Sequence, residues 1–126
     1  MSESKARGCA LVTGASSGLG ETFARQLARR GYDLVLVARR KDRLNQLAVE
    51  LSETGGAKAE VIAADLAQPE GLALVEERLQ KGDVEMLVNC AGFATLGEFA
   101  GLPLERELEE LDVNVRALVR LTHAAL

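Results

Sequence analysis

At 126 residues, 48% hydrophobic and 27% charged, the chain has material for one packed core and falls outside the disordered range. A net charge of −4 argues against a nucleic-acid platform. No apolar run reaches the ~18 residues of a membrane span, so the expectation is no membrane and a cytoplasmic location.

Residues 1–7 are a polar lead-in, and 8–13 read as a short buried strand. The spacing of Leu19, Phe23, Leu27 and Ala28 predicts a helix over 18–30, stopped by Gly31. A second strand follows at 33–38. Next comes a helix over 41–54 with Leu44, Leu47, Ala48 and Leu51 on one face, ended by Gly55 and Gly56. Residues 59–64 form a third strand, 69–80 a helix opened by Pro69, and 85–89 a fourth strand. Residues 104–126 make a long helical stretch with a break near Asp112 and a stripe of Leu104, Leu108, Leu111, Val115, Leu118 and Ala125.

Strand and helix alternate throughout, and the apolar content is mostly Ala, Leu and Val, with 3% aromatics. This pattern predicts one α/β domain over 1–126. Its form is a Rossmann-like doubly wound parallel sheet in strand order 3-2-1-4, with helices on both faces. Ligands bind such sheets at the carboxyl ends of the strands, where the order reverses between strands 1 and 4. Cys9 and Cys90 then lie about 15 Å apart at ~3.3 Å per residue, too far to bridge, so buried free thiols are expected.

The first strand runs into "TGASSGLG" at 13–20, directly ahead of a helix. Unpaired N–H groups at a helix start attract phosphate, and glycines let it approach without meeting a Cβ. A P-loop needs Lys and Ser/Thr after its last glycine, but Glu21 and Thr22 follow Gly20. The common dinucleotide fingerprint needs glycine where Ser16 stands. The alternative is a purely structural tight turn.

The observed Thr-Gly-x-x-x-Gly-x-Gly spacing resembles the short-chain dehydrogenase/reductase family. Three further stretches support the resemblance: "ADL" at 64–66, "NCAG" at 89–92, and "DVNV" from Asp112. It implies cofactor contacts from Thr13, Gly14, Ser16, Ser17, Gly18, Leu19 and Gly20. It adds Asp65 and the Leu66 N–H on the adenine, with Asn89, Ala91 and Gly92 along the ribose and nicotinamide. Asn114 falls at the family's active-site asparagine, with an amide capping or kinking a helix as the alternative.

An NAD-preferring enzyme usually carries a carboxylate at the end of the second strand. Asp33 begins that strand, at the wrong end of the sheet. The carboxyl end is Ala38-Arg39-Arg40, which suits a 2′-phosphate and predicts NADP(H) over NAD(H). A solvated, basic first helical turn is the plainer alternative.

The family's hydride transfer between nicotinamide and a small-molecule carbonyl or alcohol substrate uses a Ser and a Tyr-x-x-x-Lys. The Lys lowers a phenol pKa that is otherwise near 10. The single tyrosine, Tyr32, is followed four residues later by Leu36. The family's layout would place the Ser, Tyr and Lys beyond residue 126. The expectation is therefore the cofactor-binding half of an oxidoreductase, truncated at its C-terminal side and inactive alone. The alternative is a non-catalytic dinucleotide-binding or subunit-interaction protein on the same half-fold. His123 is read as a helix-surface or packing residue, and no metal-ligand spacing exists. Self-association is expected through the 104–126 helix or an open edge at 85–88.

Overall fold

A computed structural model of the chain describes residues 7–126. The lead-in at 1–6 lies outside the described residues. Strands β1 (Gly8–Thr13), β2 (Tyr32–Ala38), β3 (Ala59–Ala63) and β4 (Val84–Val88) form one parallel sheet in the order β3-β2-β1-β4, as the alternating pattern predicts. Helices α1 (Gly18–Arg29), α2 (Lys41–Gly55) and α3 (Pro69–Gln80) supply the crossovers. After β4 come a 3₁₀ turn at Phe99–Gly101, helix α4 (Leu104–Leu111), a π-helical segment at Asp112–Ala117 and helix α5 (Leu118–Ala125).

Residues alternate across a strand, so each central strand buries two faces. Ala10, Val12, Leu34 and Leu36 pack against Ala24, Leu27 and Ala28 of α1 and Leu44, Leu47 and Leu51 of α2. Leu11, Val35 and Val37 pack against Leu72, Val75 and Leu79 of α3, with Ala117 and Leu121. Arg78 ties the sheet edges through α3: its Nε donates to Glu60 on β3 at 3.0 Å and its Nη1 to Asp83 before β4 at 2.6 Å. That guanidinium holds the Asp83 carboxyl below the usual carboxylate range.

One amphipathic stripe needs correction. In α1 the buried face is Gly20, Ala24, Leu27 and Ala28, while Leu19 is 73% exposed and Phe23 lies at the surface. The helix comes so close to the sheet that its contact face carries small residues, which a pattern weighted by large apolar side chains misses. In the last helical stretch, Ala117 and Leu121 face the core. Leu104, Leu108, Leu111, Val115 and Leu118 are all exposed, Leu104 at 63%. That stripe is real but does not pack on the sheet. No helix among the described residues is long and apolar enough to cross a membrane.

Candidate functional site

A cleft of about 730 Å³ opens over the carboxyl ends of the strands. Its floor is the junction of β1 and β4, where strand order reverses. Thr13 lies beneath that floor, buried to 1% exposure. Its Oγ1 accepts the N–H groups of Cys90 and Ala91, each at 3.0 Å. Thr13 is thus absent from the cleft lining and acts from below, joining the two loops that frame it.

Gly14, Ser16, Ser17, Gly18, Leu19 and Gly20 form one wall. Gly14 has φ +63°, and a Cβ there would stand 2.8 Å from the Cys90 carbonyl oxygen. Only glycine allows the first loop to turn while the β4 loop passes this close. The loop's far end is the start of α1, whose N-cap Ser17 makes no side-chain capping bond. Helix-start N–H groups without a cap are donors available to an anion.

Arg39 and Arg40 line the end of the cleft beside β2. Arg39 forms no ion pair among the described residues. Arg40 approaches Asp42 only to 3.9 Å and remains 69% exposed. Asp33 sits at the opposite end of β2, accepting the Lys58 N–H at 2.9 Å, so its carboxylate serves the turn into β3.

Beyond β3, Asp65 reaches the cleft with one oxygen already committed: Oδ1 accepts the Ala67 N–H at 3.0 Å. Leu66 is also in the lining, although the residue is nearly buried and belongs to the core. Ala91 and Gly92 line the cleft. Asn89 does not; it is exposed, and its Nδ2 donates to Thr122 Oγ1 at 3.2 Å. Cys90 also lines the cleft, and burial pushes its thiol pKa up. Both cysteines are free and only half-buried, a correction to the expected full burial.

Asn114 stands in the π-helical segment, where the predicted break occurs. Its Oδ1 accepts the Phe93 N–H at 3.0 Å and its Nδ2 donates to the Phe93 carbonyl at 2.7 Å. A Cβ on Gly92 would stand 2.8 Å from that Oδ1, so glycine leaves room for the amide. The amide therefore clamps the loop after β4 and has the geometry of a positioning group. Tyr32 begins β2, at the amino end of the sheet, with the Arg7 guanidinium 6.0 Å from its ring centroid.

Three features escaped the sequence reading. Arg43 lines the cleft and donates to the Ser16 carbonyl at 3.1 Å and to Glu21 Oε1 at 3.2 Å. Gly71 lets α3 meet the Asp65 backbone, where a Cβ would overlap the carbonyl; a glycine in a helix's first turn was the available signal. At the far wall, the Arg106 guanidinium stacks 3.9 Å over the Phe93 ring. The same guanidinium donates to Glu109 Oε2 at 3.1 Å.

The cleft's size, glycine cradle and open helix start fit a dinucleotide. Comparisons with known proteins agree. The family model for short chain dehydrogenase matches residues 8–126. A Sphingobium yanoikuyae short-chain dehydrogenase solved with NADPH is 44% identical, at TM-score 0.91, covering 94% of this chain and 46% of its own. L-sorbose reductase from Gluconobacter frateurii, solved with NADPH and L-sorbose, is 34% identical at TM-score 0.86, covering 95% and 46%. The 7beta-hydroxysteroid dehydrogenase of Collinsella aerofaciens is 31% identical over 113 residues, covering 90% and 43%. The chain spans less than half the length of each of these relatives.

Proposed function

The chain belongs to the short-chain dehydrogenase family, and on that footing we propose that residues 1–126 form one unit that binds NADP(H) in preference to NAD(H). The unit serves an oxidoreductase acting on a small-molecule carbonyl or alcohol substrate. The observation that carries the cofactor preference is Ala38-Arg39-Arg40 at the cleft end of β2, with two lightly engaged guanidinium groups and no acid at position 38. NADPH in the Sphingobium and Gluconobacter structures supports it by relationship.

The bound cofactor would supply the hydride. Gly14, Ser16, Ser17, Gly18, Leu19 and Gly20 would hold the pyrophosphate, and Asp65 and Leu66 the adenine side. Ala91 and Gly92 would face the nicotinamide half, with Thr13, Asn89 and Asn114 fixing the loops behind them. Residues 1–126 contain no Tyr-x-x-x-Lys, so this unit alone lacks the acid/base pair and transfers no hydride. Fluorescence titration should show NADPH binding more tightly than NADH, with no ketone turnover. Equal affinities would refute the preference, and turnover would refute the missing acid/base.

The exposed Leu104, Leu108, Leu111, Val115 and Leu118 stripe supports self-association through this helical stretch, with the β4 edge as the other candidate surface. Sedimentation should give a mass that rises with concentration. A monomer at all concentrations would count against it.

A further inference from the structure

Three arginines gather where β2 passes into α2, but they are not equivalent. Arg39 and Arg40 are open to the cleft, whereas Arg43, one turn into α2, has both an acceptor and a counter-ion. Its Nη2 donates to the Ser16 carbonyl at 3.1 Å and to Glu21 at 3.2 Å, while Glu21 also holds Arg25 at 2.9 Å. Arg43's charge is therefore already met inside the fold.

The Ser16 contact matters because of where the loop is otherwise held. On one side, the Ala15 N–H donates to the Val37 carbonyl at 3.1 Å. On the other, Thr22 Oγ1 donates to the Gly18 carbonyl at 3.1 Å. Among the described residues the Ser17 N–H donates to no backbone carbonyl, so the Ser16–Ser17 peptide has Arg43 as its polar anchor. A trans peptide is planar, and its C=O and N–H point in opposite directions. Pinning the Ser16 carbonyl thus fixes the direction of the Ser17 N–H. Were that peptide to flip, an anion at the mouth of α1 would meet a carbonyl in place of a donor.

We infer that Arg43 is a positioning residue: through the Ser16 carbonyl it orients the phosphate loop, and it does not read the 2′-phosphate. The inference rests on the dinucleotide reading above. It separates two roles within one basic cluster, with Arg39 and Arg40 discriminating between cofactors and Arg43 supporting both alike.

The test compares Arg43→Met and Arg43→Lys with the unaltered chain. Amide hydrogen exchange across residues 14–20 and NADPH and NADH titrations are the readouts. Arg43→Met should speed exchange in the loop and weaken both dinucleotides by the same factor, about tenfold, leaving their ratio unchanged. Arg43→Lys keeps a cationic donor. It should restore slow exchange and bring both affinities within about threefold of the original. A loss confined to NADPH in either variant would make Arg43 a 2′-phosphate ligand and overturn the inference. So would unchanged exchange and binding in Arg43→Met. If Arg43→Met does not fold, the ratio in Arg43→Lys decides. If the unaltered chain binds neither dinucleotide, the functional reading falls, while loop exchange still decides whether Arg43 pins Ser16.

Discussion

Gly20→Ala is expected to destabilise the chain by about 3 kcal/mol or more, visible as a large fall in the denaturant midpoint, with loss of dinucleotide binding. A Cβ at position 20 would overlap the Gly14 carbonyl oxygen and lie 3.1 Å from that of Thr13. Both obstacles are backbone at the end of β1, so no side chain can move aside. To make room, α1 would have to lift from the sheet and take Ala24, Leu27 and Ala28 with it. Gly18→Ala is the control. Gly18 has φ +57° with nothing within 4 Å of an added Cβ, so the substitution costs only the left-handed backbone penalty, about 1–2 kcal/mol. A Gly20→Ala chain as stable as Gly18→Ala would show that the close approach does not limit the fold.

The second large effect is on cofactor choice. Replacing both Arg39 and Arg40 with alanine should weaken NADPH by about 30- to 100-fold, roughly 2–3 kcal/mol, and NADH by less than about threefold. Neither guanidinium supports the fold through a close ion pair, so thermal stability should barely change. Because both charges are exposed, the NADPH advantage should also shrink as salt rises. Parallel titrations with the two dinucleotides measure this directly. A loss shared equally between them would assign the pair a general electrostatic role.

The architecture was legible because its signals are local and repeated. Pro69 marks the first residue of α3 as predicted, and Gly31, at φ +96°, follows α1 where a terminating glycine belongs. Short apolar runs separated by helices leave few topologies once crossovers are right-handed. The glycine loop and Ala38-Arg39-Arg40 were legible for the same reason, since each is a contiguous stretch at the end of a strand. What escaped depends on groups meeting across the chain. Arg43 reads as one more basic residue until α2 brings it 3.1 Å from the Ser16 carbonyl. Thr13 reads as part of a phosphate motif, although its hydroxyl is used 77 and 78 positions away. Asn114 stands out in its motif, but its partnership with Phe93 depends on the π-helical segment. The leucine stripe is visible in the sequence, yet periodicity does not say which surface a stripe faces.

That π-helical segment has a consequence for the whole last rod. In a uniform α-helix each residue turns the axis by about 100°, so one face fixes every other face along its length. A wider turn at Asp112–Ala117 inserts a phase offset between α4 and α5. Ala117 at its end and Leu121 beyond it key the rod to the sheet; upstream, Arg106 and Glu109 are carried to the rim of the cleft. The offset works like a gear change on a single shaft, letting the angular setting at one end be chosen separately from the anchorage at the other.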